Sequence, residues 1–250
     1  MGGGMLAPMS SSSRLLAAGG LILVLAGCGV GQPAPYPPQG VDALEIPTPS
    51  PRANDFAQAV DHPFMRLDDG ARWEYLLRDG SDPIASLERA VTGSGRVAGV
   101  PVTWVSVEVS AAASTVEDAV WRDAYAQDRA GNVWWFAREG TAADFEAGVD
   151  GAEAGLVLPA SFRVGDSYEM RSLGTDTAEW TRIDATDVRL GTAMGDLEGL
   201  VQTSGTAFSG VVDGRDSAEA RRWFAPGLGM VQEERYDGRV LRLVLHDAGE

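Results

Sequence analysis

Residues 230–245 read MVQEERYDGRVLRLVL, and this run indicates the class of fold. The dipeptide Asp237-Gly238 separates two runs of apolar and polar residues. Such a pair favours a tight hairpin turn, because glycine adopts positive φ freely and aspartate tolerates it. After the turn, leucine recurs at every second position from Leu241 to Leu245, which is the period of a half-buried β-strand. The stretch therefore predicts an antiparallel hairpin with strands over 230–236 and 239–245.

The same two signals recur along the chain outward from this hairpin. Further Asp-Gly pairs stand at 69–70, 79–80, 150–151 and 213–214. Alternation of apolar and other residues is strongest in two more runs, at Trp73, Tyr75 and Leu77 and at Val105, Val107 and Val109. A second hairpin is predicted between Ala119–Gln127 and Asn132–Arg138. Many short strands with frequent turns are typical of all-β proteins, and we predict a single antiparallel sheet that is barrel-like or strongly curved.

Helical signals are weak, and they predict only one or two short helices, over Asp55–Val60 and Ala142–Ala147. Residues 55–250 contain the predicted strands, and they number enough to bury a core of their own. We therefore predict one β domain from residue 55 to residue 250.

The first 27 residues resemble a secretion signal. Arg14 precedes an apolar run over 15–25, which is too short to span a bilayer comfortably and fits the apolar region of a signal peptide. The run ends in Leu25-Ala26-Gly27-Cys28, which resembles the lipobox of bacterial lipoproteins. In that family the cysteine thiol is acylated and the signal is cleaved before it. The pattern predicts a signal peptide over 1–27 and a lipid anchor at Cys28, outside the cytoplasm.

Residues 28–54 follow the cleavage site and are rich in proline, with few large apolar side chains. Such a segment cannot bury enough surface to fold on its own, so we interpret it as a semi-extended linker. The bilayer itself, reached through acylated Cys28, is then the first predicted partner of the chain.

Composition excludes several classes of function. The formal net charge is −16, and all the basic residues are arginine. Such a charge disfavours binding to nucleic acid. Cys28 is the sole cysteine, so neither an internal disulfide nor a thiolate metal site is available. GxGxxG, P-loop and HExxH motifs are missing, and the sequence predicts no cofactor and no metal site.

Several segments, taken in order, resemble a family of secreted bacterial lipoproteins of unknown function. The segments are AYAQD at 124–128, GNVWWF at 131–136, EAGVDGA at 146–152, LPA at 158–160, VGD at 164–166 and FAPGLGMV at 224–231. The resemblance covers most of residues 62–235 and implies an all-β fold. It implies no activity, substrate or catalytic residue. Where Trp134-Trp135 stands, the family pattern leads us to expect a Trp-Tyr pair.

The aromatic residues are the most suggestive candidates for a binding site. The chain has seven Trp. In an open barrel such side chains line a cavity for an apolar ligand. The alternative is that they simply fill the core. The candidate lining residues are Trp73, Tyr125, Trp134, Trp135 and Phe136.

Candidates for catalysis are few, and the sequence predicts no catalytic residue. Nothing in the pattern places His62 and His246 together. Four carboxylates lie near the aromatic hairpin in sequence, namely Asp123, Asp128, Glu139 and Asp150.

Our leading hypothesis is a non-enzymatic lipoprotein that binds an apolar or amphipathic ligand, or an envelope protein. The alternatives are a hydrolase of envelope glycans or lipids that uses paired carboxylates, and a structural or interaction protein.

Overall fold

The computed structural model describes residues 52–141, 144–172, 178–206 and 219–249. Within these ranges the chain is built almost wholly of β-strands. The first two are short, Asp61–His62 (β1) and Met65–Arg66 (β2). The others are Arg72–Asp79 (β3), Asp82–Val97 (β4), Val100–Ala111 (β5), Ala119–Gln127 (β6), Val133–Glu139 (β7), Phe145–Glu146 (β8), Gly155–Leu158 (β9), Ser167–Ser172 (β10), Ala178–Thr192 (β11), Gly195–Thr206 (β12), Glu219–Ala225 (β13), Gly229–Arg235 (β14) and Arg239–Asp247 (β15).

The strands β3 to β15 form a single antiparallel sheet of 13 strands. Its order is β10-β11-β12-β13-β14-β15-β3-β4-β5-β6-β7-β8, and β9 also pairs with β7. Almost every neighbour in the sheet is therefore a neighbour in sequence. There are two exceptions. One is the pairing of β9 with β7. The other is the pairing of the last strand with β3, from Arg239 opposite Asp79 to Asp247 opposite Arg72, which brings the first and last strands of this sheet together.

The two ends of the strand order also approach each other. The Tyr168 hydroxyl of β10 donates a hydrogen bond to the Val157 carbonyl of β9 at 3.1 Å. Strand pairing does not close the sheet at this point: among the described strands, β10 pairs with β11 and β9 with β7, but β9 and β10 do not pair with each other. The fold is thus a strongly curved open sheet rather than a closed barrel. The prediction of one curved antiparallel sheet is confirmed.

The two predicted hairpins are present. β14 and β15 pair across the Asp237-Gly238 turn, and Gly238 has a φ of 90°. β6 and β7 pair from Gln127 opposite Val133 to Arg122 opposite Glu139. In both hairpins the strand bounds differ from the predicted ones by at most two residues at each end.

The predicted helices are not found where the structure describes the chain. Only a 3₁₀ turn over Ala53–Asp55 lies near the first of them. In the second, the Asp144 carboxylate accepts the backbone N–H groups of Gly140 and Thr141, at 3.0 and 2.6 Å. Residues Phe145–Glu146 then pair with β7 as a short edge strand. The local side-chain bonds and the open edge of β7 together outweigh a weak helical tendency.

The buried side chains form two apolar clusters. The larger one holds the inward residues of β3 to β7 with those of β14 and β15, among them Tyr75, Val107, Trp135 and Leu241. The smaller one holds Val100, Trp134 and Phe136 of β5 and β7 with Met170 and Ile183 of β10 and β11. Trp134 and Trp135 therefore lie in different clusters, as alternation along a strand requires. Among the residues described, no helix has the length and hydrophobicity needed to cross a bilayer.

Candidate functional site

Charged residues stand at inward positions of several strands of the sheet. In β4, Arg89 takes the place between the buried Leu87 and Val91. In β6, Asp123 lies between the buried Trp121 and Tyr125. The alternation that identifies these strands therefore directs polar groups into the interior, where each needs a partner.

A β-bulge in β7 supplies the partner of Asp123. Tyr125 is opposite Trp135, but Ala124 is opposite Ala137, so Phe136 is the extra residue. The extra residue shifts the alternation and turns both Trp135 and Arg138 to the same face. Regular pairing would have placed Arg138 on the other side of the sheet from Trp135.

Asp123 is held by four N–H donors. Arg138 donates to it from Nε and Nη2 at 2.8 and 3.0 Å, and the two side chains are only 5% and 3% exposed. The indoles of Trp121 and Trp135 each donate to one of its oxygens at 3.1 Å. The guanidinium also lies 4.6 Å from the Trp135 ring centroid. Burial lowers the pKa of Arg138, but the Asp123 carboxylate outweighs this effect and the net shift is upward.

A second buried ion cluster lies on β13 and β14. Arg222 and Glu233 are opposite each other in the sheet, and their side chains meet at 2.9 Å with no exposed surface. Arg235 contacts the other Glu233 oxygen at 3.4 Å. Arg222 also donates a hydrogen bond to the Thr206 carbonyl. Burial lowers the pKa of Arg222, with Glu233 opposing the shift.

A cavity of about 50 Å³ lies between these two ion clusters. Nine apolar or aromatic side chains and four charged ones line it. They are Met65, Leu87, Val107, Trp121, Tyr125, Val157, Phe224, Met230 and Leu241, with Arg89, Asp123, Arg138 and Glu233. Most of the wall is therefore hydrocarbon, and the four charged residues lie on four different strands.

Arg89 differs from the other charged residues of the wall. It is half-buried, and among the described residues no carboxylate forms an ion pair with it. Its guanidinium lies 5.9 Å from the Trp73 ring centroid. Burial lowers its pKa, but the nearby Tyr125 and Tyr75 phenols and the charge of Asp123 produce a net upward shift. Burial and the Asp123 charge likewise raise the pKa of Tyr125.

The predicted aromatic lining residues are divided between several places. Tyr125 lines the cavity. Trp135 lies behind the wall and holds Asp123, while Trp73 donates to the Leu228 carbonyl at 2.8 Å. Trp134 and Phe136 belong to the smaller apolar cluster on the other face. The structure thus brings one of the five to the cavity.

The two histidines have separate roles in packing. The backbone N–H of Phe64 donates to His62 Nδ1 at 3.2 Å, so Nε2 carries the proton and donates to the Pro159 carbonyl at 3.2 Å. Burial lowers the pKa of His62. His246 instead stacks on Trp73, with ring centroids 5.2 Å apart. Their contacts do not join them in one site.

The other candidate carboxylates hold loops or pair on the surface. Asp128 accepts N–H groups of Ala130, Asn132 and Trp134 within the β6–β7 turn. Glu139 pairs with Arg122 at 2.5 Å, and both are about half exposed. Glu139 and Asp150 also line a surface groove with Asp144 and Glu146. In the part of the chain that the structure describes, no group of three or more His, Cys, Asp or Glu could hold a metal ion.

Sequence reasoning named Asp123 only as one of several acids and did not single out Arg89, Arg138 or Glu233. For Arg89 a signal was available: an arginine at the inward position of an alternating strand, between Leu87 and Val91. For Arg138 no such signal exists, because a one-residue bulge decides which way it points. The predicted anchor at Cys28, with the signal peptide and most of the linker, lies outside the described residues.

Comparison with known proteins gave two structural similarities. No family model matches the chain, and no curated protein matches it. A candidate exported protein of YmcC-like fold from Bacteroides fragilis is 11% identical, with a TM-score of 0.45 over 72% of this chain and 96% of its own. A candidate lipoprotein from Parabacteroides distasonis is 9% identical, with a TM-score of 0.43 over 74% of this chain and 99% of its own.

Proposed function

We propose that the chain is a lipid-anchored extracytoplasmic protein whose β domain binds a small amphipathic ligand in the cavity beside Arg89, without catalysing a reaction. The observation that carries the proposal is the wall of this cavity. Ligand sites combine a mostly apolar lining with a few placed polar groups, and nine apolar or aromatic and four charged residues fit that description. The lipobox at Leu25 to Cys28 supports the location.

The size of the cavity limits the ligand. One water needs about 10–15 Å³ of such volume. A cavity of about 50 Å³ therefore has room for a molecule of a few non-hydrogen atoms. A whole acyl chain is too long for it, so the ligand is either small or places only one end in the cavity.

Binding is favoured over hydrolysis by the state of the two carboxylates in the wall. Asp123 is occupied by Arg138 and two indole N–H groups, and Glu233 by Arg222 and Arg235. A general acid or base must instead reach the proton that it transfers. These carboxylates are better suited to holding the wall of a binding site.

The proposal is tested by native mass spectrometry of the full chain, purified from the membrane fraction. We expect a small additional mass that disappears on denaturation. The matched variants are Val107→Phe, which fills the cavity, and Val109→Phe, two residues along the same strand and outside the wall. Loss of the additional mass in Val107→Phe alone would support the site. A wild-type chain without any bound mass, and without affinity for small amphipathic probes, would overturn it.

A further inference from the structure

We propose that Arg89 binds a carboxylate, so the ligand of the cavity is a monocarboxylate with a short apolar group behind it. This inference rests on the proposed function and names the class of ligand. It follows from the ion pairs inside the sheet, from the N–H donors of Arg89 and from the residues that line the cavity.

Four arginines lie in the interior of the sheet, namely Arg89, Arg138, Arg222 and Arg235. Three of them have a carboxylate within ion-pair distance: Asp123 for Arg138, and Glu233 for Arg222 and Arg235. Arg89 is the fourth, and among the described residues no carboxylate forms an ion pair with it. A bound carboxylate would supply that partner.

The neighbours of Arg89 are mainly aromatic. They are the Trp73 ring and the phenols of Tyr75 and Tyr125, and the charge of Asp123 acts on the guanidinium from nearby. The Tyr75 hydroxyl already donates its proton to the Met230 carbonyl at 3.0 Å. Since a guanidinium has several N–H donors in a planar fork, Arg89 can still donate two hydrogen bonds to a carboxylate in bidentate geometry.

The wall selects a carboxylate over a mineral anion. The rest of the lining is hydrocarbon, from side chains such as Leu87, Val107 and Leu241. A phosphate dianion would lose its hydration there without compensation, whereas a short alkyl group gains from burial. Two kinds of ligand offer the same carboxylate and short alkyl group. One is a free short-chain acid, and the other is the carboxyl end of a longer amphiphile whose tail lies outside the cavity.

The test is isothermal titration calorimetry on the full chain with sodium propionate and its neutral isostere propionamide. Decanoate identifies the longer source, and inorganic phosphate tests the class of anion. The variants are Arg89→Gln, Arg89→Lys and Arg96→Gln, the last on the exposed end of the same strand. We expect propionate to bind at least about tenfold more tightly than propionamide, because hydrogen bonds between two charged groups are stronger than those to a neutral amide.

The expected result is loss of this preference in Arg89→Gln, an intermediate affinity in Arg89→Lys and no change in Arg96→Gln. Tighter binding of decanoate than of propionate would identify an amphiphile, and the reverse order a free acid. Equal binding of propionate and propionamide, or of phosphate and propionate, would overturn the inference and leave the proposed cavity function standing. Binding of none of the four probes by a folded wild type would overturn both.

Discussion

Two ion pairs join β6 and β7, and they differ in burial. Asp123 and Arg138 are 3% and 5% exposed, whereas Glu139 and Arg122 are 45% and 51% exposed. A guanidinium–carboxylate pair in water contributes little, because both ions are solvated and screened. The same pair in the interior has already lost its hydration, so each ion depends on the other. We therefore expect the loss of unfolding free energy, on removal of one partner, to be larger for the buried pair than for the exposed one.

The matched substitutions Asp123→Asn and Glu139→Gln measure this difference. We expect Asp123→Asn to lower the free energy of unfolding by about 3–5 kcal/mol, because it leaves Arg138 buried without its counter-ion. Glu139→Gln should cost about 1 kcal/mol or less. Urea unfolding followed by tryptophan fluorescence gives both values. Equal losses from the two changes would show that burial is not what makes the Asp123 pair important.

His62 should make stability depend on pH. Its pKa is lowered in the folded chain, first by burial, while the unfolded value is 6.5. Between these two pKa values the unfolded chain binds more protons, so stability rises with pH through this window. The contribution is complete above pH 6.5 and is lost as pH falls towards the folded pKa.

The variant His62→Gln is expected to flatten the dependence of unfolding free energy on pH just below 6.5. A single proton gives a slope of at most about 1.4 kcal/mol per pH unit. The comparison with His246→Gln separates the effect of His62 from that of the second histidine, whose pKa is also lowered by burial. An unchanged slope in His62→Gln would contradict the assignment.

At the scale of elements, hairpins were easier to predict than the site. Local signals determine them: Asp237-Gly238 sets a turn, and alternation sets the flanking strands. The bulge at Phe136 depends instead on how β7 packs against β6, so no local pattern reveals it. Arg138 faces Asp123, on the same side of the sheet as Trp135, only because of that bulge. The prediction therefore found the strands that carry the site but not the directions of its side chains.

The β6–β7 hairpin depends on a single carboxylate at its turn. Asp128 accepts hydrogen bonds from the backbone of Ala130 and Asn132, from the Asn132 amide and from the Trp134 indole, all at 2.8–2.9 Å. We expect Asp128→Ala to cost about 2–3 kcal/mol, because several donors lose their acceptor together. Asp128→Asn keeps one oxygen and should cost less.

Hydrogen exchange of the backbone amides distinguishes this local effect from a global one. In Asp128→Ala, amides of β6 and β7 next to the turn should lose protection first, since opening begins where bonds are missing. A uniform loss across the sheet would contradict the idea that Asp128 stabilises this hairpin in particular.

For the whole molecule, net charge governs how the β domain meets a membrane. The chain has a formal charge of −16. Such a charge repels other anions and gives no electrostatic attraction to an anionic membrane. We therefore expect the proposed attachment to depend on the acyl chains predicted at Cys28.

The substitution Cys28→Ser tests this dependence in the intact cell. Each buried methylene contributes about 0.8 kcal/mol to membrane binding, so two or three chains anchor the protein stably. We expect the wild-type chain in the membrane fraction and the Cys28→Ser chain without the acyl mass and released by a salt wash. The anchored chain should resist the same wash, because its attachment is hydrophobic. A Cys28→Ser chain that stays bound to the membrane after the wash, with its signal peptide cleaved, would show that another part of the molecule holds it there.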